Sequence, residues 1–159
     1  YGESAYRLDP LPNRLKNNSA FKGGGEDPRE DLIKSVDYKL KMVDNLAKVK
    51  DLTDALFVCE VGRGLDIMLA LMLKPWSKII CYDVNYRYEP LLKLHFPGQN
   101  IEFHKENSGD IDFTTFIGEP MIVIADNTRL GSKNEKIIIE HPDVKAFLFE
   151  GTLMKPNGT

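Results

Sequence analysis

The stretch that most limits what this chain can become is Val58-Cys59-Glu60-Val61-Gly62-Arg63-Gly64-Leu65-Asp66. An apolar run passes through an acid and two glycines into a second apolar run. Strand, glycine turn and helix in succession build a nucleotide pocket in an open α/β sheet, because glycine lets ligand and backbone meet closely at a helix N-terminus. The chain on either side fits such a sheet. Residues 55–61 predict a first strand and 65–73 a helix apolar on nearly every side, stopped by Pro75. A second strand is predicted at 78–84, a short helix at 89–95 and a third strand at 101–104. A helical turn at 110–117, a fourth strand at 121–125, a helix at 132–140 and a fifth strand at 144–149 complete the pattern. Short apolar strands alternating with helices specify a parallel sheet covered on both faces. The expected fold is therefore α/β, a doubly wound, mostly parallel sheet of about five strands.

Upstream, the punctuation differs. Residues 1–25 hold Pro10, Pro12 and the Gly23-Gly24-Gly25 run, which prevent a sustained period, and Arg7, Arg14, Lys16 and Lys22 make them basic. They are expected to form a flexible basic arm or a lid, with residues 26–159 as a single cofactor-binding domain. Asp27, Pro28 and Glu30 give a helix start by N-cap, first-turn proline and capping box. Leu32, Val36, Leu40, Val43 and Ala47 predict the core-facing stripe of that helix, and Lys34, Lys39, Lys41 and Lys48 its solvated side.

Composition matters mainly for what it disfavours. With 159 residues and 42% hydrophobic content the chain can bury one real core. A net charge of −3 gives no global attraction to nucleic acid or to an anionic membrane. No apolar run approaches the roughly 18 residues of a membrane span. Cys59 and Cys81 sit in strand-like runs, as reduced buried thiols do, and the expected setting is cytoplasmic.

Several side chains suit chemistry. Asp83 ends the second strand, where a carboxylate can accept both hydroxyls of a ribose or simply start a turn. Asp126-Asn127 ends the fourth strand, where Asp126 can orient or deprotonate an acceptor and Asn127 can make an Asx turn. His95, His104 and His141 lack metal-ligand spacing, so no metal site is expected. Trp76 follows Pro75 and reads as packing.

Glu60-Val61-Gly62-Arg63-Gly64 resembles the acid-x-Gly-x-Gly motif of class I S-adenosylmethionine-dependent methyltransferases, and the resemblance covers about residues 55 to 150. It implies S-adenosylmethionine as cofactor. Gly62 and Gly64 would let the backbone approach its methionine part, and Glu60 would organise its amino group. Asp66 stands where the family often has a third glycine, and is a further cofactor contact or a helix cap. Asp83 would hold the ribose, and Asn107, after the third strand, the adenine. The tip of the fourth strand would face the acceptor, which makes Asp126 the catalytic candidate. Two oxygen ligands in Asp126-Asn127 are too few for a magnesium site. The implied reaction is methyl transfer to a small-molecule or sugar-like hydroxyl; the acidic balance disfavours nucleic acid, and the basic arm keeps it open. A binding module without catalysis is the alternative. A nicotinamide oxidoreductase is a further one, disfavoured by Ile67 where a small residue would let helix and strand close on a pyrophosphate. Only residues 151–159 follow the fifth strand, which is expected to be too little for a hairpin. The bare edge is then expected to be covered by a second copy in a homodimer, with the arm folding across it as the competing cover.

Overall fold

The computed structural model describes residues 28–59, 65–83, 89–106, 110–125 and 130–156. In chain order these form α1 (Pro28–Val49), β1 (Ala55–Val58), α2 (Leu65–Leu73), β2 (Lys78–Tyr82), α3 (Glu89–His95) and β3 (Ile101–His104). The second half supplies α4 (Phe113–Phe116), β4 (Met121–Ala125), α5 (Ser132–Glu140), β5 (Val144–Phe149) and β6 (Thr152–Lys155). The sheet order is β3-β2-β1-β4-β5-β6, parallel throughout except for β6. The fold is thus a doubly wound, Rossmann-like α/β sheet. Its strand order reverses between β1 and β4, the point at which such sheets open a crevice at their carboxyl ends.

Alternation along the strands divides the core in two. Leu56, Val58, Ile79, Cys81, Ile122, Ile124, Ala146 and Leu148 face one way and pack with Met42 and Leu46 of α1 and with Ile67 and Ala70 of α2. Phe57, Ile80, Tyr82, Val123, Ala125 and Phe147 face the other way, against Phe113 and Ile117 around α4 and Ile138 of α5. Cys59 and Cys81 belong to opposite clusters, and both are buried thiols outside any disulfide. Burial pushes the Cys81 thiol far above its ordinary range, with Glu89, Asp83 and Glu102 adding to the shift.

Two expectations are corrected here. The core face of α1 is Met42, Leu46 and Val49. Val36 and Leu40, placed on the core stripe by spacing alone, are 48% and 61% exposed. The helix carries two apolar stripes, and the hairpin that follows β5 selects between them. Gly151 lies so close to α1 that an added Cβ would stand 2.5 Å from the Tyr38 carbonyl oxygen and 2.8 Å from Lys41 Cβ. Asn45 Nδ2 donates to the Gly151 carbonyl at 2.7 Å, which fixes the same face.

The second correction is that hairpin itself. The edge of β5 is not bare. β6 pairs antiparallel with it, in the register Phe147↔Lys155, Leu148↔Leu153 and Phe149↔Thr152. Glu150 and Gly151 form a two-residue turn with φ of 49° and 82°, the left-handed pair that matches the twist of hairpin strands. A turn this short lets four residues complete the edge, so the reason for a homodimer through β5 is gone. Lys155 Nζ donates to the His141 carbonyl at 2.8 Å and ties β6 to the end of α5. Burial, and Lys145 beside it, hold that ammonium below its usual pKa. Among the described residues no helix is long and apolar enough to cross a membrane.

Candidate functional site

Of the candidate residues, the structure describes Asp66 and Asp83, and both lie toward the carboxyl ends of the strands. Backbone bonds carry the ladders to that edge. Cys59 N–H donates to Ile124 O at 2.9 Å, Asp83 N–H to His104 O at 3.1 Å, and Glu150 N–H to Ala125 O at 2.9 Å. The segments 60–64, 84–88, 107–109 and 126–129 follow β1, β2, β3 and β4 in the sequence. Glu60, Gly62, Gly64, Asn107 and Asp126 fall in those segments, outside the described residues. Residues 1–25, the expected arm, also lie outside the described residues.

Asp83 and Asp66 are described, and both are buried. Asp83 is 9% exposed directly after β2, so its carboxylate stands at the edge and not along a loop. Asp66 is 3% exposed in the first turn of α2. Its Oδ1 accepts from Lys39 Nζ of α1 at 2.6 Å, across a lysine side chain that is 19% exposed. Carboxylates at the start of a helix are favoured by its dipole, and the ammonium supplies the stronger compensation for burial. Sequence reasoning put Lys39 on the solvated side. The correct signal was available, because Lys39 precedes Met42, Val43 and Leu46 by three, four and seven residues and so shares the stripe that packs.

The contact also sets the direction of α1. Lys39 meets the start of α2, while Lys74, just past the end of α2, donates to the Lys50 carbonyl just past the end of α1 at 2.9 Å. The two helices therefore run side by side in the same sense. Residues 28–38 of α1 extend roughly 16 Å beyond the first turn of α2, at 1.5 Å per residue. They stand above the carboxyl edge of the sheet.

An aromatic row borders the same edge. Tyr82 stacks on His104 with centroids 4.4 Å apart and planes 7° from parallel, and on Phe57 at 5.5 Å and 21°. Phe113 closes the row edge-on against Phe57 at 5.7 Å. Burial holds the Tyr82 phenol above its ordinary pKa, with Glu106 and Glu102 adding to it. His104 Nε2 lies 3.8 Å from Glu102 Oε2. Stacking accounts for His104 as part of this row. Trp76 is packing, as expected, since it is buried and its Nε1 donates to Ala70 O at 3.1 Å. Among the described residues no group of three or more His, Cys, Asp or Glu could hold a metal ion.

The described part of the edge thus offers two buried carboxylates and a stacked aromatic row. Carboxylates suit a ribose diol, an ammonium or a sulfonium, and repel a pyrophosphate. The donor set fits S-adenosylmethionine.

No family model matches this chain. It is 30% identical over 96 residues to ribosomal RNA small subunit methyltransferase A of Pelotomaculum thermopropionicum, across 60% of this chain and 32% of that protein. The chain therefore spans about a third of the length of the curated relative it matches. Among solved structures it matches the crystal structure of the 23S rRNA methyltransferase ErmE at a TM-score of 0.47 and 17% identity, over 69% of this chain and 44% of that one. The relative overturns one expectation. A small-molecule or sugar-like acceptor, with nucleic acid disfavoured, was inferred from a net charge of −3, but the relative is by name a ribosomal RNA methyltransferase. Net charge averages over a surface, whereas a nucleic acid meets only the part around one cleft.

Proposed function

We propose that this chain, whose sheet is that of the class I methyltransferases, binds S-adenosylmethionine across the carboxyl ends of β1 to β3 and methylates RNA. The observation that carries the reading is the buried carboxylate of Asp83 at the end of β2, one strand away from the topological switch point. A carboxylate there accepts both ribose hydroxyls. Glu60 and Asp66 take the amino-acid end, Gly62 and Gly64 allow the close approach, and Asn107 pairs with the adenine edge. The cofactor supplies a methyl group already activated on a sulfonium. The protein therefore contributes position more than new covalent chemistry. Asp126, which directly follows β4 on the far side of the switch point, orients the acceptor nucleophile and receives or redirects its proton. The RNA acceptor rests on the name of the relative, and it fits a cytoplasmic setting.

Titration calorimetry with S-adenosylhomocysteine, NAD and ATP tests the cofactor. Methyl incorporation from labelled S-adenosylmethionine into ribosomal RNA tests the acceptor. Binding of the homocysteine nucleoside alone among the three supports the reading, and tight NAD binding without it overturns it. Asp126→Asn is expected to leave cofactor affinity intact while turnover falls by about 10²-fold or more. Unchanged turnover would reduce Asp126 to a turn residue.

A further inference from the structure

The ion pair between Lys39 and Asp66 has a feature that a structural staple between helices does not require. Its acidic partner is 3% exposed and sits in the first turn of α2, two residues after Gly64, while its basic partner reaches in from a different helix. The hydrophobic contacts of Met42, Leu46, Ile67 and Ala70 already hold α1 and α2 to the same face of the sheet. Exposed pairs contribute little, and buried pairs often contribute no more than apolar residues of the same volume. What a buried pair does provide is a carboxylate that stays ionised and fixed in direction.

We infer that Lys39 is a positioning residue that acts through Asp66, holding its carboxylate ionised at the start of α2 to receive the α-ammonium of the cofactor's amino-acid end. The inference rests on the cofactor reading above and deepens it. With the ribose at Asp83, the tail of the nucleoside runs along the carboxyl edge toward the switch point, and the first turn of α2 lies on that path. The ligand end in question is a zwitterion. A fixed carboxylate beside an ammonium complements an ammonium beside a carboxylate, and a charge-assisted bond in a partly desolvated site is the strong kind. Without Lys39, burial would favour the neutral acid, which recognises an ammonium poorly. Lys39 thereby sets selectivity for nucleosides that carry an amino-acid tail over those that do not.

The test compares three thioether nucleosides on the full chain by calorimetry: S-adenosylhomocysteine, its analogue lacking the α-amino group, and 5′-methylthioadenosine, which lacks the whole tail. The unaltered protein should prefer the first over the second on the order of 10- to 100-fold. Lys39→Met should cut that preference by about 10-fold and leave 5′-methylthioadenosine affinity where it was, and Lys39→Arg should restore it. Thermal unfolding of each variant separates lost stability from lost selectivity. A preference unchanged in a folded Lys39→Met overturns the inference and leaves the pair a staple. If that variant does not fold, the unaltered protein still decides, since equal affinity for the deaminated analogue overturns it as well. A chain that binds 5′-methylthioadenosine but shows no preference defeats this inference alone. One that binds none of the three nucleosides defeats the cofactor reading, and this inference falls with it.

Discussion

The two ends of the sheet use polar groups differently. At the amino ends, side chains are spent on backbone. Gln99 takes the Trp76 N–H at 3.0 Å and gives to the Trp76 carbonyl at 2.6 Å, closing both groups of one peptide segment. Ser77 N–H and Oγ both donate to the Asp54 carbonyl at 2.9 Å, and Lys74 reaches the Lys50 and Thr53 carbonyls. Among the described residues, the buried polar side chains at the carboxyl ends are carboxylates, Asp66 and Asp83, and an aromatic row lies beside them. Side chains that satisfy backbone groups make an end stable. Buried charges cost desolvation and make an end responsive to a ligand. The difference separates what holds the sheet from what the sheet is for.

Perturbing the two ends should therefore move different observables. The largest effect is expected where the carboxyl side is purely architectural. Gly151→Ala combines a left-handed φ with a Cβ driven against the backbone of α1, and should destabilise by about 2–4 kcal/mol in denaturant unfolding. A loss under about 0.5 kcal/mol would mean that α1 shifts freely away from the hairpin. Next comes Asp83→Ala, which should weaken S-adenosylhomocysteine binding by about 1–3 kcal/mol while the unfolding midpoint moves little. If affinity survives, Asp83 is a turn residue. At the opposite end, Gln99→Ala leaves two backbone groups of Trp76 without their partner and should cost about 1–2 kcal/mol of stability, with ligand affinity unaltered. A drop in affinity there would erase the division between the ends.

The smallest effect is a pH dependence. The Tyr82 phenol titrates above its ordinary value in the folded chain, so the unfolded chain loses that proton first. Stability from this group is complete below pH ~10 and falls as pH rises from there through the raised folded value. Tyr82→Phe should flatten that alkaline decline in stability measured from pH 9 to 11. A decline equally steep in the variant would assign it to other groups.

Most elements were legible because their residues answer to one demand. Residues 65–73, 89–95, 101–104, 121–125, 132–140 and 144–149 were bounded as the structure bounds them, since each is a single apolar pattern between breakers. α1 was not, because Val36 and Leu40 form one apolar stripe and Met42, Leu46 and Val49 another. Tertiary contacts, with Gly151 more than a hundred residues away and with Asp66, Ile67 and Ala70 of α2, choose between them. β6 escaped notice because Glu150 carries no turn signature of its own, and a left-handed glutamate is uncommon. The candidate site reads in the sequence as a motif, Glu60, Gly62, Gly64 and Asp83, of which the structure describes Asp83 alone. Asp66 reads as a cap or a ligand, and its partner Lys39 is marked only by its spacing to Met42, Val43 and Leu46, a signal outweighed by the usual solvation of a helical lysine.

The sequence contains a single tryptophan, and it lies at the amino ends of the strands. Ser77 and β2 separate Trp76 from Asp83 by roughly 20 Å of extended chain. The indole is 4% exposed and its N–H is bonded to the Ala70 carbonyl, with Lys74 Nζ 4.4 Å above the ring. Its emission should therefore be blue-shifted in the folded chain and shift red on unfolding, while a nucleoside at the other end leaves it unchanged. This protein carries a built-in optical reporter of its architecture that is blind to its ligand, so one cuvette can tell a variant that has lost its fold from one that has lost only its site.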